Sequence, residues 1–325
     1  SVPAMSQREL NSPAVNQSDT SDMTTPHPVL TIDEMENSRS LVRVWVVRHA
    51  ERADEAGRGV LASEECSIDE KLRAAFFNPK VSRHKTLDPP LTSRGLDQAT
   101  IAGSKLVAQG VSAPIIFCSA MLRTSQTAIR IATALNRVPG GGEGSGMTKI
   151  QRSYGLAACT SVPNQGFMSN EHISAISEGS APLSSLLPLD EERMPFLMAM
   201  EHAVRRVRAE GKRDVVLVTH REGIRDMFQV TGRGGVILKP PYASITLFAA
   251  LAPRPITVRA DPHLKKYFMM LQLGIPKTEI VRKMVSNGED PASLDDARRI
   301  VSRTRWCAVQ DGFDLGFPKE KGILL

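Results

Sequence analysis

Residues 42–52, VRVWVVRHAER, decide the fold of this chain. The apolar half predicts a strand covered on both faces, because a near-continuous run of valines suits a buried strand. Arg48 and His49 follow where that strand would end. A second apolar run, DVVLVT, ends in the same way immediately before His220. Two histidines at two strand ends predict one shared site.

A third segment adds a cation to that site. Residues 119–128, SAMLRTSQTA, place Arg123 just beyond another predicted strand, PIIFCS. A phosphomonoester carries close to two negative charges, and a planar guanidinium donates two parallel hydrogen bonds to its oxygens. We therefore interpret Arg48, Arg52 and Arg123 as phosphate ligands.

The same cations favour a nucleophilic histidine. Nearby positive charge lowers the pKa of an imidazole from its usual value of about 6.5 and leaves the ring neutral, so His49 is the predicted nucleophile. In-line transfer to His49 would place negative charge on the equatorial phosphate oxygens, where the arginines and a protonated His220 would stabilise it. This scheme requires no metal and no cofactor.

The motifs resemble those of the histidine phosphatases, the phosphoglycerate mutase-like superfamily. VVRHAER, residues 46–52, is similar to the RHG motif of that family. DPPLTSRGLDQA, residues 88–99, is similar to its second signature, and VLVTHREGIRD, residues 216–226, to its second-histidine motif. The RHxER form and PPYASITLF, residues 240–248, most resemble the branch of the suppressor-of-T-cell-receptor-signalling phosphatases. The resemblance covers about residues 41–250.

The resemblance implies a role for each matching residue. His49 would carry the phosphohistidine, and His220 would complete the pocket. Arg48 and Arg123 would bind phosphate, and Arg52 matches the additional arginine of the RHxER branch.

Departures from the family pattern bear on activity. Ala50 replaces a glycine, and Arg221 replaces a small residue, so its long cation is expected either to bind phosphate or to block the pocket. Residues 150–160, IQRSYGLAACT, contain no carboxylate where the family carries a glutamate. Proton donation to a leaving group is typically worth ~10²–10⁴ in rate, so alkyl phosphates would suffer most and phenolic phosphates least. Glu171 and Glu51 are the candidate substitutes, and Glu51 is also expected to orient the cations.

Short apolar runs alternate with helical patterns along the chain. This alternation predicts an α/β fold with three layers, α/β/α, around a mostly parallel central sheet, plus a C-terminal helical appendage. The predicted helices cover residues 93–109, 123–136 and about 191–210. Ligands bind beyond the carboxyl ends of strands in such sheets, where His49 and His220 are expected.

The expected division of the chain has three parts. Residues 1–40 are polar and are expected to be disordered. Residues 41–252 would form the histidine phosphatase-like domain, and residues 253–325 a helical hairpin with an extended arm. The hairpin sequence, HLKKYFMMLQLGIPKTEIVRKMVSNGEDPASLDDA, resembles a short motif of the coiled-coil subunit of the WASH complex. Its apolar face is expected to dock on the core or on a protein partner, which residues 262–325 would bind.

Composition and charge argue against several other classes of protein. The net charge of +6 is dispersed and no aromatic-basic module is present, so a specific nucleic-acid ligand is not expected. The sequence contains no run of ~20 apolar residues, so a membrane-spanning helix is not expected. The 4 cysteines show neither metal-ligand spacing nor a disulfide framework, which favours the cytoplasm or another reducing intracellular compartment.

The leading hypothesis is hydrolysis of a phosphomonoester through His49, by a phosphoric monoester hydrolase of the histidine acid type. A mutase is less favoured, because it would need the acid that the sequence lacks. The competing hypothesis is a catalytically impaired phosphatase domain that serves as an assembly component of a protein complex. Protein phosphotyrosine, a small metabolite and a lipid phosphate all fit the predicted site.

Overall fold

The structure is a computed structural model, and the expected disordered segment 1–40 and the end of the expected arm, residues 309–325, lie outside the residues that it describes. Those residues are 41–53, 88–111, 114–137, 147–157, 169–176, 185–190, 194–231, 240–261, 264–286, 289–296 and 298–308.

A six-stranded sheet forms the centre of the molecule. Its strands are β1 (Val42–Arg48), β2 (Ile115–Ser119), β3 (Lys149–Ser153), β4 (Asp214–Thr219), β5 (Ile245–Thr257) and β6 (Ile300–Ala308). They lie in the order β3-β2-β4-β1-β5-β6. Strands β1 to β4 run parallel, whereas β5 is antiparallel to β1 and β6 is antiparallel to β5. The predicted mostly parallel sheet is confirmed.

Helices connect and cover these strands. They are α1 (Ser93–Ala108), α2 (Leu122–Asn136), α3 (Asn170–Ile176), α4 (Phe196–Ala209), α5 (Arg221–Val230), α6 (Lys265–Gln272) and α7 (Lys277–Ser286). The first two agree with the predicted helices to within one residue at each end. Helix α4 begins later than expected, after Pro195, whose backbone is extended with ψ 147°. In the part of the chain that the structure describes, no helix is long and apolar enough to cross a membrane.

The three-layer arrangement follows from alternation along the strands. Trp45 and Val47 of β1 belong to one cluster of buried apolar side chains, and Val44 and Val46 belong to another. Successive side chains of a strand point to opposite faces of the sheet, so the two clusters lie on its two sides. The first cluster includes residues of α1 and α2, and the second includes residues of α4 and α5. The predicted α/β/α layers are therefore confirmed.

The C-terminal region is joined to the sheet more closely than expected. The expected domain boundary at residue 252 lies inside β5, which continues to Thr257. The chain then forms the α6/α7 hairpin, with a small apolar cluster of its own, and returns as β6 beside β5. The hairpin is thus an insertion between two paired strands, and part of the expected arm is an edge strand of the central sheet.

Candidate functional site

The two histidines meet because their strands are parallel neighbours. Strands β1 and β4 pair with Arg48 opposite Thr219, so the residue after each strand reaches the same edge of the sheet. The backbone N–H of His49 donates to the Thr219 carbonyl oxygen at 2.9 Å. The ring centroids of His49 and His220 are 5.2 Å apart. The structure therefore brings the two histidines together at the carboxyl end of the sheet.

His49 is held as a neutral ring. Its Nδ1 lies 2.8 Å from the carbonyl oxygen of Ala50, and since a carbonyl only accepts, Nδ1 carries the proton. The lone pair is then on Nε2. Burial, followed by the charges of Arg123, Arg48 and Arg52, lowers the pKa of His49 well below its usual value. This is the protonation state that a nucleophilic imidazole needs.

His220 is also neutral, in the opposite tautomer. Its Nδ1 is 3.4 Å from Nη2 of Arg123, and a guanidinium only donates, so Nδ1 is the acceptor. Its Nε2, 3.1 Å from the Ser119 hydroxyl, then carries the proton. Burial is the largest cause of a pKa well below the usual value, and Arg123 and His49 add to it. In this arrangement His220 is neutral, because an imidazolium could not accept from Arg123; the protonated His220 that we expect during phosphoryl transfer belongs to the occupied site.

Arg123 lies in the first turn of α2, immediately after the loop that follows β2. Its side chain is buried, and Nη1 is 3.5 Å from Oδ1 of Asp88. The sequence did not single out Asp88 as a site residue, although it begins the DPPLTSRG motif. Arg123 thus links a buried carboxylate on one side to His220 on the other.

The loop that leads into β5 holds Arg48. Its Nη1 donates to the Pro240 carbonyl oxygen at 2.5 Å, and its guanidinium carbon is 4.0 Å from the Tyr242 ring centroid. Its backbone N–H donates to the carbonyl of Ser244 at 3.0 Å. Ala243, between Tyr242 and Ser244 in the chain, has φ +52°, a left-handed conformation that is strained for a residue with a Cβ. Such strain persists where surrounding contacts fix the backbone, and the residues on either side of Ala243 are those that contact Arg48.

Arg52 and Glu51 follow the first strand. Arg52 forms an isolated antiparallel bridge with Leu91, and its charge contributes to the lowered pKa of both histidines. Glu51 accepts a hydrogen bond from the Thr92 hydroxyl at 3.2 Å and lies 3.8 Å from Nε of Arg94. These contacts join Glu51 to the start of α1, whereas we expected it to orient the phosphate-binding cations.

Two of the departures from the family pattern have simple structural outcomes. The methyl group of Ala50 is fully buried in the apolar cluster beside α1 and α2, so the replacement of glycine is accommodated. Nε of Arg221 donates to the carboxylate of Glu222 at 2.5 Å, and both side chains are nearly half exposed. Nε of Arg221 thus faces the carboxylate of a neighbouring, partly exposed side chain. Glu171 is exposed in the first turn of α3.

The third departure introduces a buried cation. Arg152 of β3 is 1% exposed; its Nη2 donates to the Ala120 carbonyl at 2.7 Å and its Nη1 to Oδ1 of Asn170 at 3.0 Å. These bonds fasten the end of β3 to the loop before α2 and to α3. The absence of a glutamate is visible in the sequence, whereas the burial of this arginine is not, because it depends on contacts with distant segments.

No metal-binding cluster of three or more His, Cys, Asp or Glu side chains occurs among the described residues.

Comparison with known families gives two matches. Residues 44–140 match the model of the histidine phosphatase superfamily, branch 1. The matched segment contains Arg48, His49 and Arg123. Residues 241–295 match the model of subunit CCDC53 of the WASH complex. The second match begins before β5 and ends after the α6/α7 hairpin, so it includes a strand of the central sheet. His220 lies outside both matched segments.

Individual proteins with similar sequence or structure were also found. The mouse (Mus musculus) ubiquitin-associated and SH3 domain-containing protein A is 31% identical in an alignment over 120 residues that covers 33% of this chain and 18% of that protein. This chain therefore spans less than a fifth of that relative's length.

Among solved structures, the ecdysone phosphate phosphatase of Bombix mori in complex with tungstate is 19% identical, with 64% of this chain and 88% of that chain covered and a TM-score of 0.44. Phosphoglycerate mutase from Bacillus anthracis is 14% identical, with 65% and 88% covered and a TM-score of 0.36. Structural similarity at this level says nothing about the activity of this chain. The sequence match over residues 44–140 shows that the segment carrying Arg48, His49 and Arg123 resembles the histidine phosphatase superfamily.

Proposed function

We propose that this protein hydrolyses phosphomonoesters through a phosphohistidine on His49. The observation that carries the proposal is the pair of neutral histidines, 5.2 Å apart, whose pKa values are lowered first by burial and then by the surrounding arginines. A neutral imidazole with its lone pair on Nε2 is a nucleophile, and nearby guanidinium groups favour a dianionic phosphoryl group.

The reaction would proceed in two steps. Nε2 of His49 attacks phosphorus in line with the leaving oxygen, and the P–O bond to the leaving group breaks as the P–N bond forms. Arg48, Arg52 and Arg123 stabilise the charge that develops on the equatorial oxygens. A bound dianion also raises the pKa of His220, which then gains a proton in the occupied site. In the second step a water oxygen attacks phosphorus, and the P–N bond to Nε2 of His49 breaks as the new P–O bond forms. The product leaves as dihydrogen phosphate, which keeps both protons of the water, and His49 returns to its neutral form.

The leaving group determines which substrates would react quickly. The described residues at the end of β3 and just after it, 152–157, include an arginine and no carboxylate, so none of them supplies a strong proton donor. Phenolic and acyl phosphates, whose leaving groups depart without protonation, are therefore the proposed substrate class. Alkyl phosphates should react slower by ~10²–10⁴, the usual contribution of a general acid.

The first test is hydrolysis of p-nitrophenyl phosphate between pH 4 and 8 by the full chain and by His49→Ala. We expect turnover that the substitution abolishes. His202→Ala is the matched control, because this histidine is exposed on α4 and should have no role in turnover. Alkaline quenching during turnover should trap a phosphoryl group on the wild-type protein that is stable in base and is lost in acid. A folded wild-type protein that is no faster than His49→Ala would contradict the proposal.

The second candidate function is assembly into a protein complex through the C-terminal hairpin. It is favoured by the match of residues 241–295 to a subunit of the WASH complex and by the exposed apolar side chains of the hairpin. Met269, Leu273 and Val285 are 51%, 77% and 61% exposed. Exposed apolar patches of this kind often bind other proteins.

Co-expression with the other subunits of a WASH complex tests this function. Stoichiometric co-purification that is lost in Leu273→Asp would support assembly, whereas Ile101→Asp, which changes an exposed apolar residue of α1, is the matched control. Equal co-purification of both variants, or none with the wild-type chain, would contradict it.

We also propose a reducing intracellular compartment, such as the cytoplasm. Cys118 and Cys307 are buried thiols, and burial raises the pKa of the Cys118 thiol to about 12. Such a thiol is unreactive, which is compatible with a chain that keeps its cysteines reduced.

A further inference from the structure

Asp88 is a buried carboxylate at the edge of the candidate site. Its side chain is 10% exposed, and both of its oxygens accept from the backbone N–H of Leu122, at 2.8 and 2.9 Å. Its Oδ1 is also 3.5 Å from Nη1 of Arg123. One carboxylate therefore contacts both the first residue of α2 and the side chain of the next residue.

Arg123 is held at both of its terminal nitrogens. Nη1 faces Asp88, and Nη2 is 3.4 Å from Nδ1 of His220. Since a guanidinium is planar, contacts at two of its nitrogens restrict the orientation of the whole group. Asp88 and His220 together determine where the remaining N–H groups of Arg123 point.

Helix capping alone would not require a charged residue here. A neutral side chain serves that purpose at the start of α1, where the Thr92 hydroxyl accepts from the backbone N–H of Gly95 at 2.9 Å. Burial of Asp88 is costly, since it raises the pKa of the carboxyl to about 6 despite Arg123, the Leu122 N–H and Arg152, which act to lower it. An acidic residue at this position suggests a role that a hydroxyl could not fill.

We propose that Asp88 is a positioning residue, whose carboxylate holds the guanidinium of Arg123 beside His220 in the orientation that binds the substrate's phosphate. The inference rests on the proposed phosphate site and adds a residue that acts through Arg123. It assigns no contact between Asp88 and the substrate.

The direction in which phosphate affinity changes in Asp88→Asn distinguishes a positioning role from simple electrostatic repulsion. Removing a negative charge beside an anion site should tighten anion binding if Asp88 only repels the anion. If Asp88 orients Arg123, the same change should weaken binding, because the guanidinium loses one of its two fixed contacts. Asp88→Asn has nearly the same shape and keeps an oxygen that can accept from Leu122.

The experiment is calorimetric titration of the full chain with inorganic phosphate, together with the kinetics of p-nitrophenyl phosphate hydrolysis. We expect Asp88→Asn to raise the Kd for phosphate by about tenfold or more, the usual effect of losing a charged hydrogen bond. The matched control is Asp214→Asn, because Asp214 is another buried carboxylate paired with an arginine, Arg43, at the opposite end of β4. This control should leave the Kd unchanged.

A double-mutant cycle tests whether Asp88 acts through Arg123. In an Arg123→Ala background, Asp88→Asn should have no further effect on phosphate affinity or on kcat/KM. An additional loss there would overturn the positioning role. Phosphate affinity that is equal or higher in Asp88→Asn than in the wild-type chain would also overturn it.

Folding and function can be separated in these measurements. If Asp88→Asn is unfolded by circular dichroism, Asp88→Ser keeps a neutral acceptor for the helix start and undergoes the same titration. Phosphate binding without turnover would contradict the proposed hydrolysis but leave the positioning test readable. A wild-type chain that binds no phosphate would overturn both proposals.

Discussion

The two ends of the parallel strands differ in how their charged side chains are paired. At the amino end, Asp214 accepts hydrogen bonds from Nε and Nη2 of Arg43, both at 2.7 Å, and from the indole N–H of Trp45 at 2.9 Å. At the carboxyl end, two buried histidines lie among arginines, and burial together with the arginine charges lowers the pKa of both. The amino end is a closed ion pair that stabilises the fold, whereas the carboxyl end is suited to an anion from outside the chain.

The comparison is sharpened most by removing one arginine from each end. Arg123→Ala should lower kcat/KM for p-nitrophenyl phosphate by about 10²–10³, as expected when a donor to the transition-state charge is lost. Arg43→Ala should leave kcat/KM unchanged, because it lies at the other end of β1. Steady-state kinetics of both variants checks this, and equal losses would break the distinction between the two ends.

The amino end should determine stability. Asp214→Ala leaves Arg43 and the Trp45 indole without their shared acceptor, so the free energy of unfolding should fall by about 3 kcal/mol. Urea unfolding followed by tryptophan fluorescence measures the change. The properly folded fraction should keep the wild-type kcat/KM; a loss of catalytic efficiency in that fraction would show that the pair supports the site as well.

The carboxyl end should make stability depend on pH through Asp88. Its pKa, about 6 in the folded protein, is above the usual value of 3.8, so the folded state retains a proton that the unfolded state releases. The resulting stabilisation is complete below pH 3.8 and is lost as pH rises through 6. Relative to Asp88→Asn, the wild-type chain should lose about 2 kcal/mol of unfolding free energy between pH 4 and 7.

Urea unfolding of both proteins at each pH provides the measurement. The two histidines are present in both proteins, so their titration largely cancels in the difference. A difference that is constant with pH would mean that Asp88 is ionised throughout and that burial is not its dominant influence.

The smallest expected effect concerns the loop that holds Arg48. Tyr242→Leu removes the ring that lies 4.0 Å from the guanidinium, a cation–π contact worth about 1 kcal/mol when it is partly buried. We expect KM for p-nitrophenyl phosphate to rise about fivefold, with a smaller change in kcat. Tyr242→Phe keeps the ring and is the control, and an equal effect of both substitutions would assign the role to the hydroxyl.

The sequence predicted the parts of the molecule that depend on local pattern. Strands β1, β2 and β4 are apolar runs that end in polar residues, and two of those ends carry His49 and His220. Helices α1 and α2 have apolar stripes of helical period. These features are readable because burial and periodicity are properties of short segments.

The rest depends on contacts between distant segments. The extension of β5 was missed because Pro253 and Pro255 argue against a strand. Its pairing with β1 ends at Ala250, so these prolines lie in a stretch that pairs only with β6 and contains a register shift. Likewise, the roles of Asp88 and Tyr242 follow from the side chains that they contact, and no motif specifies those contacts.

Because the α6/α7 hairpin is inserted between two paired strands, it can be removed from the chain without removing a strand of the sheet. Thr257 pairs with Ile300, and the N–H of Val258 donates to the Arg299 carbonyl oxygen at 2.8 Å, so the chain leaves and re-enters the sheet at adjacent points. Residues 258–299 could therefore be exchanged for a short β-turn without changing the register of β5 and β6. Such a shortened chain would let the chemistry of the strand ends be studied apart from whatever the hairpin binds, and the hairpin could be transplanted onto another antiparallel strand pair.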